Sequence, residues 1–480
     1  MKAAIRYTIL VTIVTFFSLY LCNTNAQETE KFVNCNCESV YVEMIQKLET
    51  NYIGLKQLQL AKKDHEYIQR KKNFRAKSKN VLPENCTEFL DEFLDFFNDG
   101  HLHAIERPKY TDSLLLEFKN EIKNKALNEN ELQAYENNLA IKVSDSKDNI
   151  LGYWTDGKSK FITIKSNNVY EAYILETNVK SVEKGELKAT IRPTVKGYAL
   201  RYYSYKYSPV YVRGKLCKDH NVFSAGHVYW KRVDESFHIN MEEAIDLKKP
   251  SLKIIDPKTT LITIPSFNYD FKSFNDFVSR NEQYIKDSKN LIIDIRGNRG
   301  GNGIYFPLIE LFATQDMSGS QGLVLASQDN LEYFERKMKY SRRIYKPVVK
   351  NIQNNMGKIV DGPEYPKKNY RIRDNLIQNV TILIDKGCAS AAESFILHAK
   401  RSSDKVTTFG SPTAGMIDYT SVNSLLLDSG SQNILFVYPT STLHKDIPEK
   451  GFNKTGIKPD FAIPSSIENK IAYVMKKMGS

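Results

Sequence analysis

The sequence predicts an α/β protein built from three parts, and three observations predict it. Apolar residues at helical spacing mark a helical region over 27–135, and short β-branched and aromatic runs mark a β-rich module over 140–250. From 255 to 465, continuous apolar strands alternate with helices, which is typical of an α/β domain. A chain of 480 residues is too long for one core, so a division into domains is expected.

The first 26 residues have the pattern of a secretory signal peptide. Lys2 and Arg6 precede an apolar stretch over 9–22, and Ala26 offers a small-residue cleavage site. No later stretch reaches about 18 consecutive apolar residues, so no membrane span is expected after signal removal. We therefore expect a secreted or periplasmic protein, either free or associated with the cell envelope.

The helical region is predicted to contain two amphipathic helices. They cover 39–60 and 87–98, and each places large apolar residues on one face. The second helix is expected to end at Asn98-Asp99-Gly100. His101 would then lie just beyond the last strongly apolar helix of this region.

The middle and last parts differ in the period of their apolar residues. In the middle part, Gly, Asn, Asp and Lys separate short strands, which indicates a small barrel or sandwich. In the last part a polar segment over 314–375 interrupts the alternation and is interpreted as an insertion or arm, and a C-terminal helix is expected over 466–480. The predicted strands are 160–164, 170–175, 187–191, 198–203, 261–264, 291–295 and 381–384, and the predicted helices are 272–286, 304–313 and 389–402.

Charge and cysteine content argue against a nucleic-acid partner and a metal site. Lys and Arg total 68 against 56 acidic residues, a net charge of +12, but the basic residues alternate with acids along the chain. Cys35 and Cys37 have no second cysteine or histidine pair at metal-ligand spacing, so no metal site is expected. Cys86 is available to pair with either of them in an oxidising compartment, and the sequence leaves that pairing open.

The first chemical motif surrounds Ser390. The run from Lys386 to Glu393 follows a buried strand and opens a helix, and its small residues would let a substrate backbone approach. Backbone N–H groups and the helix dipole favour a developing negative charge at such a turn. The alternative interpretation is that Ser390 only caps the helix.

The second motif runs from Asp294 to Gly303, directly after another buried strand. Glycine-rich turns of this kind expose N–H groups that can hold an oxyanion or a phosphate. The spacing fits neither the dinucleotide fingerprint nor the phosphate-binding loop, so a nucleotide site is not favoured.

Together the segments resemble the C-terminal processing (tail-specific) serine peptidases and their tricorn-core and retinoid-binding-protein-like branch. The resemblance covers 255–465 and implies a crotonase-like core that hydrolyses protein or peptide substrates without a cofactor. The motifs that carry it are Asp294-x-Arg296-x-Asn298-x-Gly300-Gly301, Ala389-Ser390-Ala391-x-Glu393, Gly410-Ser411-Pro412-Thr413-Ala414-Gly415 and Gly456-Ile457-Lys458-Pro459-Asp460.

The resemblance also implies residue roles. Ser390 would attack the carbonyl, and its own N–H or that of Ala391 would stabilise the oxyanion together with an N–H from Gly300 or Gly301. The tail-specific branch takes its base from a lysine after the Gly-x-x-Thr-x-Gly turn, where this chain has Met416.

The other branch uses a histidine from the N-terminal part, in an Asp-Gly-His context that Asp99-Gly100-His101 resembles. His101 is therefore the predicted base and His103 the runner-up. The branch orients its base with a glutamate just before Gly-Ile-x-Pro-Asp, and Glu449 or Asn453 is the nearest match here.

Two other functions stay open. A catalytically idle relative would use the cleft to bind peptides or lipids, and a hydrolase on the same fold would cleave a non-peptide ester or acyl group. A distance above about 7 Å between His101 and Ser390 would favour the binding protein, since a base must come within hydrogen-bond reach.

The β-rich module shows no Gly-Leu-Gly-Phe-like carboxylate loop, so recognition of a free C-terminus is not predicted.

Overall fold

The computed structural model describes residues 36–478 apart from 107–109, 146–149, 195–196, 219, 226–227, 366, 373–374, 429–433 and 454. The predicted signal peptide and Cys35 lie outside the described residues. Within them, helices precede a closed β-barrel, and an α/β unit with two sheets follows. No helix in this part of the chain has the length and apolar character needed to cross a membrane.

The N-terminal region consists of four helices, a short strand and two further helices. The first predicted helix is interrupted at Tyr52, whose extended backbone (φ −87°, ψ 112°) separates α1 from α2 and whose ring is fully buried. A disulfide joins Cys37 to Cys86 and so ties α1 to α4. The elements are α1 Cys37–Asn51, α2 Ile53–Leu60, α3 His65–Ser78, α4 Cys86–Leu94, β1 His103–Glu106, α5 Asp112–Asn124 and α6 Glu129–Asp145.

The middle of the chain is a closed eight-stranded antiparallel barrel, one of the two architectures that the sequence allowed. Its first strand pairs with both the second and the last, which closes the ring. Trp154, Phe161, Phe223 and Trp230 are fully buried in its core, with the rings of Phe161 and Trp230 4.6 Å apart. The strands are β2 Gly152–Thr155, β3 Ser159–Ser166, β4 Val169–Thr177, β5 Leu187–Thr194, β6 Gly197–Tyr203, β7 Pro209–Cys217, β8 Val222–Ala225 and β9 Val228–Val233.

The remaining elements alternate between strands and helices. One predicted helix is again divided, because Asn281 leaves the helical conformation between α7 and α8. The elements are β10 Ser251–Asp256, β11 Thr259–Thr263, α7 Phe271–Arg280, α8 Glu282–Asp287, β12 Asn290–Asp294, α9 Phe306–Glu310, β13 Ser320–Leu325, α10 Gln328–Met338, α11 Arg342–Asn354, β14 Ile359–Tyr365, β15 Asn379–Ile384, α12 Ala391–Ser402, β16 Val406–Gly410, β17 Tyr419–Leu427, β18 Ile434–Thr442, β19 Phe461–Ala462 and α13 Lys470–Met478.

A six-stranded sheet forms the core of the α/β unit, in the order β10-β11-β12-β15-β16-β19. All neighbours are parallel except β10 and β11. Because β12 and β15 are adjacent, the two motif turns that follow these strands lie side by side at the carboxyl edge of the sheet.

A second, five-stranded sheet has the order β1-β18-β13-β14, with β17 also paired to β18. The segment interpreted as an insertion or arm, 314–375, supplies β13 and β14 to this sheet rather than standing apart from the domain. The N-terminal helices pack on the same sheet, with Leu48 and Phe436 among the residues of their shared core. The pairing of β1 with β18 therefore carries the start of the chain to the α/β unit.

Candidate active site

Ser390 occupies a strained turn between β15 and α12. It is the N-cap of α12, and its backbone has φ 55° and ψ −117°, a region that costs a non-glycine residue about 1–3 kcal/mol. Its backbone N–H donates to Glu393 Oε2 at 3.0 Å. The hydroxyl faces a neighbouring histidine, which goes beyond the role of a simple helix cap.

That histidine is His101. Its Nε2 lies 3.2 Å from Ser390 Oγ, although 289 positions separate the two residues in the chain. Asn98, in the left-handed conformation, ends the last turn after α4, and β1 then begins at His103, which lies opposite Val437 of β18. The helix end and the strand pairing together fix the short loop that presents His101 to the serine.

Asp99 is the acid next to His101, and it was not among the predicted site residues. Its Oδ1 accepts the His101 backbone N–H at 2.9 Å and lies 3.6 Å from Nδ1. Its Oδ2 accepts a hydrogen bond from the Tyr52 hydroxyl at 3.0 Å. The side chain is buried, so the carboxylate is held in one place by these contacts.

The two predicted orienting residues do not take that place. Glu449 is exposed on the loop after β18. The side-chain oxygen of Asn453 accepts from the Asp418 backbone N–H, and its backbone carbonyl accepts from the Asn98 amide. The prediction relied on the position just before Gly-Ile-x-Pro-Asp, whereas Asp99 stands two residues before the histidine.

The predicted oxyanion residues divide into two kinds. The Gly300 N–H is already used, because it donates to Asn298 Oδ1 at 2.8 Å. Glycine is nevertheless required there, since a Cβ would lie 2.6 Å from the Ala389 carbonyl oxygen. Gly301 and Ala391 line the cleft beside Ser390, and within the described residues neither N–H donates a hydrogen bond. These two groups are the available donors for a developing oxyanion.

Glu393 connects the serine turn to the turn after β16. Its carboxylate accepts hydrogen bonds from the backbone N–H groups of Ser390, Gly415 and Met416 and from the Thr413 hydroxyl. The group is buried, and burial raises its pKa, an effect that these hydrogen bonds oppose. Glu393 and Thr413 therefore have structural reasons to occur in the two motifs.

Asp385, just after β15, also joins neighbouring turns through its carboxylate, and the sequence analysis did not single it out. Its Oδ1 accepts from the N–H groups of Gly297 and Gly387, and its Oδ2 accepts from the Lys218 N–H of the barrel at 2.7 Å. The Lys218 amine also lies 3.4 Å from Asp294. The barrel thus contacts both motif turns directly.

Met416 occupies the position at which the tail-specific branch has lysine. Its side chain packs against Gly100 so closely that a Cβ at residue 100 would fall 2.3 Å from Met416 Cγ. The methionine therefore borders the loop that carries His101, and an added methyl group at residue 100 has no room.

His103, the runner-up base, lines a smaller cavity of about 140 Å³ together with Asp99 and Arg299. Burial, together with the charges of His101 and Arg299, lowers the pKa of His103 to about 4. Nothing in the described structure brings its ring to Ser390, so it does not fit the role of base.

A cleft of about 640 Å³ opens above Ser390 and His101. Aromatic residues, among them Tyr305 and Phe306, form one part of its wall, and Met416 and Ile417 form another. Among the described residues, no group of three or more His, Cys, Asp or Glu side chains is arranged to hold a metal ion.

Comparisons with known structures give likenesses of low identity. Mature CPAF matches with a TM-score of 0.47 and 12% identity, over 89% of this chain and 93% of that one. A photosystem II D1 C-terminal processing protease matches with a TM-score of 0.35 and 10% identity, over 93% of this chain and 98% of that one. The tricorn protease matches with a TM-score of 0.40 and 12% identity, over 92% of this chain and 36% of that one. With TM-scores below 0.5, these likenesses carry no conclusion about function.

The comparison of sequence families is more specific. No curated protein matches the chain. Residues 258–463 match the model of peptidase family S41, and this span contains the serine turn, the glycine-rich turn and both later motifs. The domain over 258–463 is therefore similar to peptidase family S41, the serine peptidases that its motifs resemble.

Proposed function

We propose that this protein is an exported serine endopeptidase that cleaves peptide bonds through an acyl-enzyme on Ser390. The observation that carries the proposal is the 3.2 Å separation between His101 Nε2 and Ser390 Oγ. A serine hydroxyl needs a base within hydrogen-bond reach to act as a nucleophile at neutral pH. His101 supplies the base that Met416 cannot supply, which supports a peptidase over an idle binding protein.

The chemistry follows from these positions. His101 Nε2 takes the hydroxyl proton as Ser390 Oγ attacks the peptide carbonyl, and the N–H groups of Gly301 and Ala391 stabilise the oxyanion. The tetrahedral intermediate expels the amine, which receives the proton from His101, and leaves an ester on Ser390. A water molecule then attacks the ester with His101 again as base, which releases the acid product and restores the serine.

Export is the part of the proposal that rests mainly on the sequence. The basic and apolar pattern of residues 1–26 supports a cleaved secretory signal, and the Cys37–Cys86 disulfide suits an oxidising compartment. Detection of the mature protein outside the cytoplasm, with an N-terminus at or near residue 27, would test this part.

Labelling of the mature protein with a fluorophosphonate probe tests the catalytic proposal without a known substrate. We expect the wild type to be labelled, and Ser390→Ala and His101→Ala to lose the label while keeping the wild-type melting temperature. His103→Ala is the matched histidine control and should retain labelling. Unchanged labelling of Ser390→Ala would exclude the proposed nucleophile, and unchanged labelling of His101→Ala would exclude the proposed base.

A further inference from the structure

The cleft above Ser390 has an uneven distribution of charge. Among the described residues that line it, Lys337, Lys368 and Arg401 carry positive charge, and none carries a carboxylate. The chain as a whole has 56 acidic residues, so their exclusion from this wall is a local feature.

The sequence neighbours of two of these cations show that this feature is selective. Lys367 pairs with Asp316 at 3.1 Å and Lys400 pairs with Asp460 at 2.6 Å. Lys368 and Arg401 stand next to them in the chain, line the cleft, and form no ion pair within the described residues. In both neighbouring pairs, the cation that pairs with a carboxylate is the one that does not line the cleft.

Helix α12 gives a measure of how far these cations lie from the nucleophile. Ser390, Ser394, His398 and Arg401 all line the cleft, so one face of the helix follows it. At about 1.5 Å rise per residue, Arg401 lies about 16 Å along the helix from Ser390. An extended peptide covers that distance in about five residues, at about 3.3 Å per residue.

Lys368 lies at the same end of the cleft as Arg401. Its amine is 5.8 Å from the ring centroid of Phe306, and Phe306 stacks on His398 at 5.4 Å. The pKa of His398 is lowered to about 4 by burial and, secondarily, by the charge of Arg401, which places these groups near one another.

We infer that the cleft selects acidic peptides, namely substrates with an Asp or Glu side chain about four to six residues from the scissile bond. The inference rests on the proposed function and names the substrate class of the same site. Lys368 and Arg401 would be the residues that determine this specificity, by attracting a side-chain carboxylate near the end of α12 that carries His398 and Arg401.

The test uses the full mature chain carrying Ser390→Ala, so that binding is measured without cleavage. The probes are fluorescent, otherwise uncharged twelve-residue peptides, capped at both ends, with one Glu moved along the sequence and a Gln counterpart for each. We expect Glu at the favoured positions to bind about tenfold more tightly than Gln at low salt, as measured by fluorescence polarisation. Lys368→Gln and Arg401→Gln should each weaken this preference about three- to tenfold.

Lys367→Gln is the matched control, because this lysine pairs with Asp316 outside the cleft, and it should keep the preference. Equal affinity for the Glu and Gln peptides, or a preference that survives both cleft substitutions, would overturn the inference. A preference seen only when the peptide ends in a free carboxylate would also overturn it, since that assigns the cations to a chain terminus. Charge-dependent binding without hydrolysis by the wild type would support the inference while contradicting the proposed peptidase activity.

Discussion

The carboxylate of Asp99 lies 3.6 Å from Nδ1 of His101, in a buried pocket that Tyr52 closes from the other side. That separation is longer than a hydrogen bond, and within the described residues Nδ1 has no hydrogen-bond partner. Contacts between catalytic groups are often long before substrate binds and shorten in the complex. Asp99 is thus in a position to favour the tautomer with the proton on Nδ1, which leaves Nε2 free to accept the serine proton.

We predict that Asp99→Asn slows fluorophosphonate labelling by about 10²- to 10⁴-fold, because an amide no longer favours the required tautomer or stabilises the protonated ring. The melting temperature should change little, since the Asn side-chain oxygen can still accept the His101 N–H and its amide NH₂ can donate to the Tyr52 hydroxyl oxygen. Tyr52→Phe removes one contact of the carboxylate but keeps its charge and is expected to have a smaller effect. A labelling rate for Asp99→Asn within threefold of the wild type would show that Asp99 does not assist the base.

Gly100→Ala should impair the site by steric crowding, because the added methyl group meets the Met416 side chain next to His101. Overpacking of this kind costs about 1–3 kcal/mol. If displacement of His101 raises the activation free energy of labelling by about 1.4 kcal/mol, the labelling rate falls about tenfold. The double variant Gly100→Ala/Met416→Ala removes the obstructing atoms and should recover most of the rate. Equal rates for the single and double variants would indicate that the two side chains are not coupled.

Acid should destabilise the protein through two partly buried histidines. Burial lowers the folded-state pKa of His103 and of His398 to about 4, whereas each titrates near 6.5 in an unfolded chain. Between these values the unfolded state binds more protons, so the free energy of unfolding falls as pH decreases from 6.5. Each histidine contributes a slope of up to about 1.4 kcal/mol per pH unit.

His103→Gln should therefore reduce the dependence of stability on pH by up to about one proton between pH 5 and 6.5. Urea denaturation at several pH values measures this slope in the variant and the wild type. His65→Gln serves as control, because His65 is exposed at the start of α3. The same slope in wild type and His103→Gln would mean that His103 is not held neutral by the fold.

The elements with continuous apolar runs were predictable, because burial on both faces of a sheet leaves a clear signature. The run 291–295 corresponds to β12 at Asn290–Asp294, and 381–384 lies within β15. The interruptions at Tyr52 and Asn281 carry no Gly or Pro to mark them. Tyr52 leaves the helix in a position where its ring is buried and its hydroxyl reaches Asp99, a tertiary contact that local sequence does not encode.

Within the site, the residues that the motifs contain were easier to identify than those that support them. Ser390 and His101 could be proposed because turn chemistry and a familiar context mark them, and the structure brings the two together. Asp385 was not identified because its role depends on the adjacency of β12 and β15 and on a barrel loop 167 positions away. Glu449 and Asn453 were chosen by their distance from a later motif, and sequence distance does not determine which carboxylate faces a ring.

The pairing of β1 with β18 has a consequence for the order in which activity arises during synthesis. His101 leaves the ribosome long before Ser390, but the strand that seats it, β18, ends only at Thr442. A nascent chain that stops before that strand carries a histidine without its support, and a fragment limited to the family-matched span carries a nucleophile without a base. The pairing of His101 with Ser390 is therefore complete only when almost the entire polypeptide has been made and folded.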